Sequence, residues 1–262
     1  MSVASNRGGV PSLEVAGAVA TLRLCRPAVL NRLTAEDLVV LQNHCTTLNA
    51  DPAVRVVVLT ADTTGQPRPV FSAGYDVSGF NSEDHNPRLF EQTVEAMAHL
   101  RPVLVGGLNG SVYGGATDLL LACDLRLALP GLSFRMPACA LGLHYYPTGL
   151  KRYTAAFGVE RARQLFLTAD TVTTERLHQW GVLMELVPPD QWSERLHALA
   201  QQVAALAPLA TQGTKASLRE LAMGLDDPVV LAARERLCAA SADFAEGRLA
   251  MAERRTPCFQ GV

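Results

Sequence analysis

Asp118 stands three residues after Gly115 in the run Asn109-Gly-Ser-Val-Tyr-Gly-Gly-Ala-Thr-Asp118. The apolar run 103–108 leads into it and reads as a buried strand, and the apolar run 119–123 continues it as a helix. A strand that turns through Gly114-Gly115 into a helix start presents backbone N–H groups that no intrahelical acceptor takes. Such a turn can hold negative charge developing on oxygen. Asp118, one helical turn further on, is placed for proton transfer. A second turn of the same kind, Phe71-Ser-Ala-Gly74-Tyr75-Asp76, follows the short strand-like run 70–73. Two N–H groups from two strand ends can converge on one oxygen as an oxyanion hole, each donor contributing about 3–4 kcal/mol in acyl transfer. The plainer alternative is that both glycines serve tight turns and that Asp118 only complements a helix dipole. Finding both turns in one sheet pattern favours the chemical reading.

The elements that must hold these turns follow from periodicity. Residues 13–16 and 19–24 alternate apolar and polar positions, with Gly17 between them, and predict a hairpin. Thr34 with Asp37 three residues on forms a variant capping box, opening a helix to about Asn49 with Leu38, Leu41, Cys45 and Leu48 on one face. The β-branched run 54–60 predicts a strand buried on both faces, as in a parallel sheet. A helix over 87–100, the strand 103–108, a helix through Ala122 and a strand over 125–129 follow. From residue 158 the pattern is almost wholly helical, over 159–168, 174–180, 190–206, 208–224 and 227–250. Strands alternating with helices predict an α/β fold with a mainly parallel sheet. Residues 1–11 read as a loose tail.

The 262 residues, 48% hydrophobic, suffice for a sizeable core in one domain or a domain with a small appendage. The net charge of −2 and the lack of a basic run point away from nucleic acid. Six cysteines (25, 45, 123, 139, 238 and 258) form no C-x-x-C pair and read as reduced thiols, with Cys25, Cys123 and Cys139 in apolar surroundings. Neither a zinc site nor a disulfide framework is expected. No run reads as a signal peptide or a membrane span, so the expected location is the cytoplasm. His44, His85, His99, His178 and His197 show no ligand spacing, no metal is expected, and Lys151-Arg152 reads as a solvated pair.

Across residues 12–261 the chain resembles the enoyl-CoA hydratase/isomerase (crotonase) superfamily. The motifs that carry the resemblance stand in order. They are Arg26-Pro-Ala-Val-Leu-Asn31, Phe71-Ser-Ala-Gly-Tyr-Asp76, Arg101-Pro-Val to Asn109-Gly, Gly114-Gly115 and Ala122-Cys-Asp124. Phe134 to Pro137, Leu141-Gly-Leu143, Leu167-Thr168, Gly181-Val182 and Glu185 to Val187 continue the series. Ser241 to Gly247 and Glu253 to Gly261 complete it. The resemblance implies a spiral of ββα units over 12–200 with a helical trimerisation region over 201–262. It implies an acyl-CoA substrate, no separate cofactor since CoA is part of that substrate, and self-association as a trimer or hexamer. The N–H groups of Tyr75 and Gly115 would hold the thioester oxygen as an enolate forms. Ala73, Gly74, Asp76 and Gly114 would lie against the substrate, with a structural role as the other reading of Asp76. Arg26 lies where the family meets the nucleotide end of CoA, and Arg254 or Arg255 where a basic residue meets its phosphates. A solvated surface is the alternative for all three.

The chain departs from the family where proton chemistry is done. Hydratases of this kind use two glutamates, whose positions here carry Asp118 and Ala138. An alanine relays no proton, and losing one of two acid/base groups forfeits roughly 10²–10⁴ in rate. The resemblance therefore leaves hydration, isomerisation, decarboxylation, hydrolysis and acyl-CoA binding with little turnover open. The ring residues His144, Tyr145 and Tyr146 replace a glycine-rich loop at the acyl pocket. His144 is a candidate general base, and Tyr145 or Tyr146 a candidate hydrogen-bond donor. Alternatively, the rings fill volume left by glycines and by the missing glutamate. Tyr113 and Tyr75, flanking the glycines, are expected to shape the same pocket.

Overall fold

The computed structural model describes residues 9–76 and 86–262. His85 and most of the expected tail therefore lie outside the described residues. The hairpin forms as its alternation predicts: β1 (Ser12–Ala16) pairs antiparallel with β2 (Val19–Leu24), and Gly17 takes a positive φ of 62° between them. Next comes α1 (Ala35–Ala50), where the Thr34 side chain accepts from the Asp37 N–H and Asp37 returns a bond to the Thr34 N–H. Leu38, Leu41, Cys45 and Leu48 are buried.

β3 (Val56–Ala61) is buried at every residue, because α1 covers one face of its sheet and later helices the other. It lies parallel to β2 and to β5 (Val103–Leu108). With β7 (Leu125–Ala128) and β10 (Glu185–Leu186) these make a six-stranded sheet in the order β1-β2-β3-β5-β7-β10, parallel from β2 onward.

A second sheet was not legible in the run 103–108. The chain leaves β5, turns at Asn109-Gly110 and forms a further strand, β6 (Ser111–Tyr113), before reaching Gly114. β6 pairs parallel with β4 (Val70–Ser72) and with β8 (Ser133–Arg135), and β9 (Val172–Thr173) closes the sheet antiparallel to β8. The expected single strand into the glycine turn is thus two strands in two sheets. Both glycine turns sit just past the carboxyl ends of neighbouring strands β4 and β6. A three-residue strand between glycines carries too little periodicity to be read from sequence.

The remaining helices are α2 (Leu89–Ala98), α3 (Ala116–Leu121), α4 (Pro147–Thr168), α5 (Thr174–Gln179), α6 (Trp192–Ala204), α7 (Pro208–Met223), α8 (Pro228–Ala239) and α9 (Ala242–Glu253). The helix expected over 159–168 forms the second half of α4, beyond a non-helical Gly158 with φ 70°, and the first half begins at Pro147 and carries Lys151 and Arg152; proline at its first position suits a helix start. One expectation needs correction: the helix expected over 227–250 is two, because Ser241 caps α9 by accepting from the Phe244 N–H. Lys215 of α7 reaches the core through an ion pair to Asp124 at 2.6 Å and a bond to Pro102 O at 2.7 Å. Cys45 and Cys123 are buried, whereas Cys25 is half-buried and Cys139 exposed, which corrects the apolar setting expected for those two.

Candidate active site

The first glycine turn is built by main-chain pairing with the loop after β2. Leu30 and Asn31 both adopt positive φ, 56° and 51°. This lets Ala73 N donate to Leu30 O, Leu33 N to Gly74 O and Asp76 N to Leu33 O, at 2.8–2.9 Å. The buried Asn31 amide donates to Asp62 O and Val70 O, and Ser72 Oγ donates to Asn31 O. Arg26, just before this loop, is held by Asp37 at 2.9 Å and Glu36 at 2.8 Å. Asp76 faces Arg32 at 3.6 Å.

The two turns touch backbone to backbone. Gly74 has a φ of 96°, and a Cβ there would lie 2.8 Å from Tyr113 O and 3.4 Å from Gly115 N. At Gly115 a Cβ would lie 2.6 Å from Cζ of Phe90. At Gly74 the positive φ and the backbone contact require glycine, whereas at Gly115 a side chain would have to displace the Phe90 ring. Phe90, in the first turn of α2, stacks on Tyr75 with ring centroids 5.5 Å apart. Gly114 N donates to Arg135 O, while among the described residues the Gly115 N–H meets no acceptor.

Ala73, Gly74, Tyr75, Gly114 and Gly115 form one wall of a cleft of about 360 Å³. Met136, Ala138, Leu143, His144, Tyr145 and Tyr146 line it elsewhere, as do Tyr113, Phe90 and Glu91. The structure thus gathers Tyr75, Gly115, His144, Tyr145 and Tyr146 around one space. His144 is exposed at its rim, and Tyr145 is buried.

Asp118 is placed differently. It is fully buried and is not among the residues that line the cleft. Arg152 grips it with two bonds, Nε to Oδ1 at 2.9 Å and Nη2 to Oδ2 at 3.1 Å. Tyr146 OH donates to Oδ2, and Tyr145 OH approaches the same oxygen at 3.4 Å. Arg152 also pairs with Glu95 of α2. Both carboxylate oxygens are therefore engaged behind the two tyrosine rings. The solvated reading of Arg152 is corrected with it: the guanidinium is buried, and its charge is balanced by two acids that lie 34 and 57 residues away in sequence. Lys151 is exposed, as expected.

This setting shifts the local ionisations. Burial lowers the Arg152 pKa, but the hydrogen bonds and charge of Asp118 and Glu95 outweigh it, so the guanidinium is held charged. Burial first, and then the Asp118 charge, push both tyrosine hydroxyls well above their ordinary value of 10. Neither gives up a proton near neutrality. Glu91 was missed by the sequence reading. It sits on α2 with Oε1 accepting from Thr148 Oγ1 of α4 at 2.8 Å, and only the fold brings these two residues together. Arg255 pairs with Glu246 and Glu253, and Arg254 is an exposed helix cap. Among the described residues no cluster of His, Cys, Asp and Glu could hold a metal, and no helix is long and apolar enough to cross a membrane.

Strand pairs leading into helices, two sheets and a helical C-terminal third define a crotonase-like α/β fold. The family model for enoyl-CoA hydratase/isomerase matches residues 14–262, so the chain belongs to that family. It is 29% identical to 2,3-dehydroadipyl-CoA hydratase of Escherichia coli over 93% of this chain and 95% of that one. It is 27% identical to methylmalonyl-CoA decarboxylase of Escherichia coli over 80% and 82%. The crystal structure of an enoyl-CoA hydratase subunit from Geobacillus kaustophilus superposes with a TM-score of 0.84 at 26% identity, covering 98% of this chain and all of that one. The chain is a crotonase-type acyl-CoA enzyme, a lyase or isomerase.

Proposed function

We propose that the thioester oxygen of an acyl-CoA lies between the N–H groups of Tyr75 and Gly115, which stabilise the enolate that forms when charge moves onto it. The observation that carries this is the backbone contact of the two glycine turns on one wall of the cleft. Donors fixed before reaction cost no reorganisation as the charge develops. Hydration of a 2-enoyl thioester is the default reaction, since hydratases stand among the relatives. A second reading, acyl-CoA binding with little turnover, is favoured by Ala138 and by the tied carboxylate of Asp118. Arg26 and one of Arg254 or Arg255 are assigned to the CoA nucleotide. Self-association as a trimer or hexamer is supported by apolar side chains exposed on α7 to α9, among them Leu218, Val229 and Met251. Reduced cysteines suit the cytoplasm.

The test compares calorimetric binding of butyryl-CoA with that of S-butyl-CoA, a thioether without the carbonyl oxygen. Tighter binding of the thioester supports the assignment, and equal affinity removes it. Loss of the conjugated absorbance of crotonyl-CoA then separates hydration from binding alone.

A further inference from the structure

Among the described residues lining the cleft, Glu91 is the single carboxylate. It follows Phe90, whose ring lies against both Gly115 and Tyr75, so the first turn of α2 is docked on the two glycine turns. Thr148, two residues after Tyr146 and in the first turn of α4, holds Oε1. The first turns of two helices thus hold the carboxylate at the cleft. Glu95, one turn further along α2, is tied to Arg152, whereas among the described residues no ion pair engages Glu91. Glu91 can change charge without breaking an ion pair; Asp118 cannot.

The other polar groups are less suited. Both oxygens of Asp118 are taken, and Ala138 has no acid to offer. Tyr146 donates its proton to Asp118, away from the cleft, and its hydroxyl holds that proton beyond the neutral range. His144 stands exposed at the rim with no partner among the described residues to orient it.

We propose that Glu91 is the acid/base of this site, exchanging a proton with Cα of the bound acyl group. In the forward step the Cα–H bond breaks and its electron pair forms a new C=C bond to the thioester carbon. The carbonyl π pair moves onto the oxygen between Tyr75 and Gly115, and the proton goes to Glu91. Reversal returns a proton to Cα. The inference rests on the thioester placement above and assigns the proton carrier that this placement leaves open.

The test is deuterium uptake at Cα of butyryl-CoA in heavy water, followed by mass spectrometry on the full chain. Wild-type protein incorporates deuterium. Glu91→Gln should slow incorporation by roughly 10²–10⁴ with butyryl-CoA binding retained. The glutamine amide oxygen can still accept from Thr148, so the fold should survive, which thermal melting checks. Glu91→Asp, which keeps the acid, should recover part of the rate; a purely structural Glu91 would give no such pattern. Three results overturn the proposal while leaving the binding assignment standing. They are wild-type exchange in Glu91→Gln, binding without exchange in wild type, and loss of exchange in His144→Gln but not in Glu91→Gln. Failure of wild type to bind butyryl-CoA overturns both.

Discussion

Asp118→Asn should destabilise the protein more than it impairs chemistry. The carboxylate is fully buried and accepts two bonds from Arg152, with Tyr146 and Tyr145 on the same side. Asparagine keeps one acceptor and turns an NH₂ toward groups that are themselves donors. Removing one partner of a buried ion pair typically costs about 3–5 kcal/mol. Arg152 retains Glu95, so the lower end, about 3 kcal/mol, applies here. At about 2–4 °C per kcal/mol for a chain of this size, the Tm should fall by roughly 6–12 °C. Below that transition, butyryl-CoA binding and Cα exchange should remain within about tenfold of wild type, far short of the 10²–10⁴ loss of an acid/base group. The double variant Asp118→Leu/Arg152→Met should recover only part of the loss, because apolar replacement of a buried pair is often neutral or stabilising but takes the acceptor from the Tyr146 and Tyr145 hydroxyls. Glu95, left without its partner, is partly exposed and can be hydrated. Scanning calorimetry and the exchange assay decide. A Tm shift under about 2 °C, equivalent to under 1 kcal/mol, together with abolished exchange would refute the anchoring role and return Asp118 to the chemistry.

Three further outcomes follow from the same geometry. Burial raises the ionisations of Tyr145, Tyr146 and Tyr153 and pushes the thiols of Cys45 and Cys123 up to about 12. The folded chain keeps these protons where the unfolded chain releases them, so their contribution is whole below about pH 9 and lost as pH rises, by about 1.4 kcal/mol per unit for each group. Lys215, lowered by burial, acts in the opposite sense but is outnumbered by these groups. Urea midpoints measured across the alkaline range should fall, and a flat profile would contradict the burial of these groups. Gly74→Ala places a Cβ 2.8 Å from Tyr113 O at a φ of 96°; backbone strain of about 1–3 kcal/mol plus displacement of the turn should lower both Tm and thioester affinity, and an unchanged affinity would contradict the site. Finally, no lysine or arginine is among the described residues lining the cleft, whereas Glu91 is. A second carboxylate about 6 Å from Glu91 would meet ~2.8 kcal/mol of repulsion at an effective dielectric near 20, roughly a hundredfold in affinity. Competition binding should rank a dicarboxylic acyl-CoA well below a neutral one of equal length, and parity would contradict the charge assignment.

Local patterns carried the parts of the fold that local forces decide. The β-branched run 54–60 became the doubly covered β3, Thr34 and Asp37 made their capping box, and Gly74 and Gly114 took the positive φ their turns need. What stayed hidden depends on partners far apart in the chain. Arg152 beside Lys151 looks like any solvated pair until Asp118 and Glu95 are brought to it. Glu91 looks like a helix-surface acid until Thr148 and the cleft meet it. β6 was missed because three residues between glycines give no period to read.

The central claim is that Tyr75 and Gly115 hold the thioester oxygen, and a crystal structure with butyryl-CoA bound tests it most directly. That oxygen should lie within about 3.2 Å of both backbone nitrogens. A well-ordered acyl group whose carbonyl oxygen is bound elsewhere, with both N–H groups unengaged, would contradict it.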